Sequence, residues 1–513
     1  MLKKYSKEFE EVFVAVQQCN TDVELKNILT NIDKNDVRST ISNELGIELF
    51  LKYIGLNSSI SRDNFDSKLL RITFLLGHYD ITYALKFFEF YKDIARNNSA
   101  SWIRCQRIEN ALIKTQKYIE RLENNNRSIV NISPYVEENL TTKEFESFEI
   151  FREFSKVNEG VYIANIEKTV SPAVSELKRL SVLDDYEIFE KKCLAKLRTT
   201  FESEYKYISL TNACVSHEPS GIVFRIENNY KYIYSANGIY HHFRVGGKTA
   251  LRDSPVEYNT AYMIPRKGEK NYYHTVLDIL PNYLGYKLLD FDCPIVISHK
   301  LSEIEKYFIE YLDIPTDKIV STQNSGVNIS NAIVPVNTTF LYDFILLMRS
   351  AEITSKWSKD AANSYGSHIY ISRLKSAARP LTNEKEIEEI MIAAGFDVIY
   401  MEDHSLEKQI SIMSNAKLVV SPHGAGLTNM IFAQTGTSII ELIPDRYLTP
   451  MFRQLAFYCG HKYGVIIGKT EDNQNSAKPK FEWSIDTKKL KIILESILKP
   501  EIDHHPVDKS NAA

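Results

Sequence analysis

Between Ser367 and Ile443 the chain alternates strand patterns with helix patterns, and that alternation leaves few folds open. Ser367–Ser372 reads as a buried strand. Asn383-Glu-Lys-Glu386 is a capping-box-like helix start, Ile387, Ile390, Met391 and Ala394 then share one face, and Gly395 stops the helix. Phe396–Tyr400 is a second strand, and Ser405 can cap a helix that turns Leu406, Ile410 and Met413 inward. Leu418–Val420 and Ser438–Ile443 complete the series. Strand–helix repeats of this kind predict a parallel, doubly wound α/β sheet, which binds ligands at the carboxyl ends of its strands.

The run from Leu418 to Phe432 carries the sharpest local signal. It reads as a buried strand, a glycine-containing turn and the first turns of a helix. That order aims unpaired backbone N–H groups and the positive end of the helix dipole at one point, where an anion can sit. Gly424 and Gly426 allow a ligand to approach the backbone, and His423 stands at the lip of the turn. Glu441 is one acid in the otherwise apolar strand that follows. On its own such a turn is equally well a tight strand–helix connection. Arg373 and Arg379 shift the balance, because both follow the 367–372 strand and so fall on the same sheet edge, and guanidinium groups suit bidentate phosphate recognition. Together these residues point to a nucleotide site.

The better-known phosphate loops do not fit. No G-x-G-x-x-G occurs, and the triplets Gly247-Lys-Thr and Gly468-Lys-Thr each lack the leading glycine, with His242 and Tyr463 in its place. His-Gly-Ala-Gly resembles a hydrolase oxyanion loop, but no G-x-S-x-G elbow supplies a nucleophile. A further pair, His274 and Asp278 in Asn271–Pro281, is four residues apart and shares a helix face, so it could hold a proton acceptor in place. The plainer reading is a capping His and a surface Asp.

The remainder bounds the molecule. At 513 residues the chain exceeds a single core. A net charge of −4 with no basic block argues against a nucleic-acid partner. Cys19, Cys105, Cys193, Cys214, Cys293 and Cys459 form no C-x-x-C pair, which suits reduced thiols. The N-terminus lacks an apolar h-region and no stretch matches a membrane span, so a cytoplasmic protein is expected, with at most peripheral contact at the inner face of the membrane. The 30 Tyr and 25 Phe fit either core positions or sugar-stacking platforms. Phe9, Val12, Phe13 and Val16 begin a helical region over 1–125, followed by a mixed segment over 126–204 with a helix near 184–202. Short strands at Tyr205–Thr211, Gly221–Ile226, Tyr230–Ser235 and Ile239–Val245 open a region over 205–350. The alternating region over 351–500 and a flexible tail over 501–513 complete the division.

The ordered set Tyr370-Ile-Ser-Arg373, Arg379, Asn383-Glu384, Gln409, His423-Gly-Ala-Gly-Leu-Thr-Asn429, Phe432, Gly436-Thr437 and Glu441-Leu442 resembles glycosyltransferase family 61, and Tyr273-His274…Asp278-Ile-Leu-Pro281 resembles that family's other recurrent motif. The family includes bacterial capsular-polysaccharide transferases, plant xylosyl- and arabinosyltransferases and eukaryotic O-linked N-acetylglucosaminyltransferases. The resemblance spans residues 205–470. It implies a GT-B architecture of two Rossmann-like domains facing across a cleft, and inverting transfer without an obligatory metal or other cofactor. The co-substrate would be a nucleotide sugar, expected to be UDP-linked, with CMP- and GDP-linked donors left open. The donor would lie on His423, Gly424, Ala425, Gly426, Leu427 and Asn429, with Arg373 and Arg379 neutralising the leaving group and Glu441 accepting from ribose hydroxyls. Asp278, with His274 as partner or substitute, would be the base on the acceptor side.

The expected role is cytoplasmic capsule or surface-polysaccharide synthesis in a bacterium, with a glycan or glycolipid acceptor and capsule-assembly proteins as candidate partners. Two other classes compete. Asp290-Phe-Asp292 has the D-x-D pattern of a metal-dependent GT-A transferase, although it precedes a strand rather than following one. A non-catalytic nucleotide- or polysaccharide-binding component of an assembly complex is the other.

Overall fold

The computed structural model describes residues 129–134, 141–157, 160–168, 178–180, 185–193, 204–214, 221–226, 229–234, 248–250, 256–264, 271–297, 299–321, 327–336, 339–357, 365–376, 379–471 and 481–498, with helical positions at 113, 116, 117 and 120. The rest of the expected helical region over 1–125, the strand expected at Ile239–Val245 and the tail over 501–513 lie outside the described residues. The chain divides into two compact units. The first comprises Met1–Lys168, Glu204–Glu269 and Asn282–Thr339; the second comprises Thr169–Ser203, Lys270–Pro281 and Phe340–Ala513. These divisions differ from the contiguous blocks expected from sequence, because two short segments leave their neighbours in the chain and pack with the C-terminal unit.

The first unit holds an 11-stranded sheet. Ile319–Ser321, Ile295–Ile297, Val256–Ile264 and Val327–Pro335 run parallel at one end. Beyond them Glu204–Cys214, Gly221–Ile226 and Asn229–Tyr234 run antiparallel. The expected Rossmann-like parallel sheet is therefore a mixed one. Short connections close Glu204–Cys214, Gly221–Ile226 and Asn229–Tyr234 into antiparallel hairpins, whereas parallel neighbours need a long crossover. Several tyrosines among the described residues of this unit are buried in its core. The hydroxyls of Tyr207, Tyr262 and Tyr286 donate to the carbonyls of Gly285, Asn282 and Cys293 at 2.7, 2.8 and 2.9 Å. Such bonds let a phenol be buried without leaving its oxygen unsatisfied.

The second unit holds a seven-stranded sheet in the order Asp397–Ile399, His368–Ile371, Leu418–Pro422, Ser438–Pro444, Lys462–Thr470 and Trp483–Ser484, with Lys178–Arg179 also paired to Lys462–Thr470. All neighbours are parallel except Trp483–Ser484. Counted from His368 onward, the first five strands thus lie in the spatial order second, first, third, fourth, fifth. The order reverses between His368–Ile371 and Leu418–Pro422, so the crevice at their carboxyl ends is the switch point of the sheet. Glu384–Ala393, Leu406–Asn415 and Met451–Tyr458 are the crossover helices. Gly395, at φ 85, ends the first, and the Ser405 side chain accepts from Lys408 N to cap the second. Asn383 makes no cap bond. Its side chain instead both donates to and accepts from the backbone of Ile485 at 2.8 and 3.2 Å, tying the helix start to the last strand.

The borrowed segment Thr169–Ser203 is held by partly buried polar bonds. Asp185 accepts from Ile467 N at 2.8 Å, and Arg453 pairs with Glu190 at 2.7 Å and donates to the Tyr186 hydroxyl at 3.1 Å. These bonds fix the helix Asp185–Cys193 against Lys462–Thr470 and Met451–Tyr458.

Candidate functional site

The switch point collects most of the residues singled out in the sequence. Arg373 follows the strand His368–Ile371, and His423 and Gly424 follow Leu418–Pro422. Strand pairing continues one residue past the strand end, since His423 N donates to the Leu442 carbonyl at 2.7 Å. After Gly424 the chain enters Ala425–Phe432, a 3-10 helix where the sequence suggested an α-helix. Its first backbone N–H groups have no partner from a preceding turn of helix, so they remain available to an anion. Ala425 and Gly426 are half-buried, whereas Leu427, Thr428 and Asn429 are buried.

Arg373 crosses over the turn. Its guanidinium donates to the His423 carbonyl and, at 2.8 Å, to the Ser376 hydroxyl. A Cβ on Gly424 would lie 2.7 Å from both Cδ and Nε of Arg373. The glycine thus makes room for an arginine rather than only for a ligand. Arg379 has a positive φ of 54 and stands 4.4 Å over the Tyr447 ring, and its own carbonyl accepts from the Trp483 indole at 3.0 Å. A left-handed arginine is strained, and the indole bond holds it there. Burial lowers the Arg373 pKa to about 10, and the neighbouring charge of Arg379 adds to that shift. Two cations are therefore brought close enough to repel, and a bound anion would relieve the repulsion.

Glu441 is not available to a ribose. It is fully buried, its Oε1 faces His423 Nδ1 and its Oε2 accepts from the Tyr463 hydroxyl. The apolar run that made Glu441 conspicuous is the buried middle of the sheet. Asn429 is also fully buried. Its amide donates to Gln409 Oε1 at 2.9 Å, and its carbonyl accepts from the Tyr272 hydroxyl at 2.6 Å. Gln409 in turn donates to the carbonyls of Met401 and His404 at 2.9 and 3.0 Å. Both residues fix the turn from behind.

His274 and Asp278 lie in the second unit with the glycine turn, not on a separate domain. His274 Nδ1 is 2.6 Å from Asp278 Oδ2, and both side chains are half-buried. Residues Thr275–Ile279 form a π-turn, with Leu280 N bonded to the Thr275 carbonyl. Such turns insert a residue into a helix and are frequent at functional sites. The edges of His274 and Phe452 both meet the Tyr273 ring, at 5.4 and 5.6 Å, and Phe452 meets His423 at 5.1 Å. Tyr272, Phe452, Tyr447 and Tyr463 carry these links. The sequence signal for them was no more than aromatic residues close to the motifs.

Asp290 and Asp292 lie in the first unit. Asp290 is 3.3 Å from Arg152 and Asp292 pairs with Lys318, so each is matched with a cation of its own. Among the described residues no group of three or more His, Cys, Asp or Glu side chains could hold a metal ion. Among them also, no helix is long and apolar enough to cross a membrane.

The chain is 28% identical over 118 residues to protein O-linked-mannose beta-1,4-N-acetylglucosaminyltransferase 2 of Xenopus tropicalis, covering 21% of this chain and 20% of the relative. The same protein of Xenopus laevis is 27% identical over 110 residues, covering 20% of this chain and 19% of the relative. The chain thus spans about a fifth of the length of these curated relatives. Residues 272–440, which run from Tyr272 through the arginines and the glycine turn to the strand of Glu441, match the family model for glycosyltransferase 61, and the match supports that family for this part of the chain.

Proposed function

We propose that this chain is an inverting glycosyltransferase that moves a sugar from a nucleotide-sugar donor to a glycan hydroxyl. The observation that carries the reading is the pair Arg373 and Arg379 beside the glycine turn at the sheet's switch point, where burial first and the charge of Arg379 second depress the Arg373 guanidinium. A nucleoside diphosphate supplies two negative phosphates to that point, and in the transition state the leaving group gains charge there. The first backbone N–H groups of Ala425–Phe432 add donors.

Inversion needs a base to take the proton of the acceptor hydroxyl as it attacks the face opposite the leaving group. His274 with Asp278 fits that task. A carboxylate that accepts from Nδ1 fixes the ring and leaves Nε2 to receive the proton. In this reading Asp278 orients and His274 takes the proton. The donor is UDP-linked and the architecture GT-B-like by resemblance. The names of the Xenopus relatives make N-acetylglucosamine the first sugar to try. Surface-polysaccharide synthesis is the proposed setting, with a glycan or glycolipid acceptor.

A thermal-shift panel of nucleotides and nucleotide sugars on the full chain tests the donor site. Stabilisation by one nucleoside diphosphate and its sugar conjugate is expected, and no shift with any of them sinks the reading. Asp278→Asn is expected to keep nucleotide affinity while lowering turnover about 100-fold or more. A variant that retained full turnover would remove Asp278 from the catalytic machinery, and a wild type that bound the nucleotide without any turnover would instead favour a binding protein.

A further inference from the structure

The pair behind the glycine turn has a chemistry of its own. Glu441 is fully buried, and its carboxylate meets two side chains, the His423 imidazole and the Tyr463 hydroxyl. A carboxylate only accepts hydrogen bonds, so the proton between it and the ring sits on Nδ1. Tyr463 is itself fully buried, and its hydroxyl stays protonated because burial and the charge of Glu441 raise its pKa well above the usual phenol range. Tyr463 is therefore a neutral donor and does not balance the charge of Glu441. An uncompensated buried carboxylate is costly, and the ring of His423 can offset it by carrying a second proton.

The surroundings fix where that second proton points. The His423 backbone is anchored to the neighbouring strand by its N–H and to Arg373 by its carbonyl. Its ring is edged by Tyr447 and Phe452 at 5.3 and 5.1 Å. Glu441 occupies Nδ1 and leaves Nε2 as the ring nitrogen open to another partner. The charged groups around the ring are Glu441 on Ser438–Pro444, Arg373 on its carbonyl, and Arg379 over the Tyr447 ring.

We infer that His423 binds the donor as an imidazolium, its Nε2–H donating to a phosphate oxygen of a nucleoside diphosphate, and that Glu441 and Tyr463 are positioning residues that hold the ring in that charged form. The assignment rests on the reading of the site as a nucleotide-sugar site and deepens it. A third cationic donor joins the two arginines, and it is supplied by the residue that opens the turn, with its partners on the two strands behind. Loss of the sugar then leaves the developing charge on phosphate oxygens that already face a proton donor. No proton need leave His423 in this step; the phosphate departs as an anion hydrogen-bonded to it.

Glu441→Gln separates charge from position. Glutamine can still accept from Nδ1 and has the same shape, but it no longer offsets a charged ring. Calorimetric titration of the full chain with UDP, and with CDP and GDP in parallel, is expected to show affinity falling by about tenfold or more in the variant, while affinity for the uncharged nucleoside holds. Equal UDP affinity in variant and wild type overturns the assignment but leaves the donor site standing. Failure of the wild type to bind any nucleoside diphosphate overturns the functional reading and this one with it. Should the variant not fold, imidazole 15N resonances of the wild type in the UDP complex decide, with His423 identified by its loss in His423→Gln. Both ring nitrogens protonated supports the assignment, and an unprotonated Nε2 overturns it.

Discussion

Two glycines show how one residue type serves different ends. Gly424 has extended backbone that any residue can adopt, and what a Cβ there would meet is the movable Arg373 side chain. Gly424→Ala should therefore cost little stability, about 1 kcal/mol, because the arginine can swing aside. Moving that arginine off the turn should weaken UDP binding about tenfold. Melting and calorimetry on one sample check both halves, and unchanged affinity would remove Arg373 from the phosphate site. Gly468 is the opposite case. A Cβ there would lie 2.6 Å from the Ser484 carbonyl oxygen and 2.6 Å from the Trp483 ring. Backbone cannot swing aside, so Gly468→Ala should lower stability by about 1–3 kcal/mol and leave UDP affinity of the folded fraction unchanged. The Gly-Lys-Thr triplet at 468 is thus a close strand contact, in line with its missing leading glycine. The sequence marks Gly424 as room for a ligand, and the structure places the Arg373 side chain against it. That Arg373 passes over it depends on a contact 51 positions away, which no local pattern encodes.

At the scale of elements, periodicity located the strands and helices of the alternating region well, because buried strands and amphipathic helices leave direct marks in hydrophobic spacing. It did not reveal the π-turn at Thr275–Ile279 or the 3-10 geometry of Ala425–Phe432, because both are set by packing against neighbours. The far end of that 3-10 helix is held by His461, whose Nε2–H donates to the Met430 carbonyl at 2.8 Å, and by Arg349, which donates to Ala433 O and to the Thr435 hydroxyl at 2.9 and 2.7 Å. Burial lowers the His461 pKa from 6.5 to about 4, with the charge of Arg349 in the same direction and the Met430 carbonyl opposing. The folded-state value is below the unfolded one. The stability linked to it is therefore full above pH 6.5 and is lost as pH falls from there to about 4. The span is worth about 3 kcal/mol at most, at about 1.4 kcal/mol per unit. His461→Gln keeps a donor for Met430 and does not titrate. Its melting temperature should fall less than that of the wild type across the same pH range, and parallel curves would remove His461 as the cause.

For the whole molecule the informative feature is that the site-bearing unit is discontinuous. Its sheet and helices come mainly from Phe340–Ala513, but Thr169–Ser203 and Lys270–Pro281 are built into it. Local pattern predicts contiguous domains because it has no term for a helix that packs more than 250 residues away, as Asp185 does on Ile467. The consequence is testable with a fragment. Residues 340–513 alone would keep the switch point, Arg373, Arg379 and the glycine turn. They would lose Asp185 from the Ile467 N–H, Glu190 from Arg453 and Tyr272 from Asn429. Each loss leaves a polar group that was paired in the intact unit, at about 1–3 kcal/mol apiece if it stays buried. A domain has only about 5–15 kcal/mol in all, so three such losses, together with the exposed face left by the helix Asp185–Cys193, are enough to unfold it. The fragment is expected to lack a cooperative melting transition and UDP binding. Adding residues 169–203 and 270–281 by short linkers should restore the transition, because both segments return the missing partners. A fragment 340–513 that melted cooperatively and bound UDP as the full chain does would show the borrowed segments to be dispensable, and with them the tie between Tyr272 and the glycine turn.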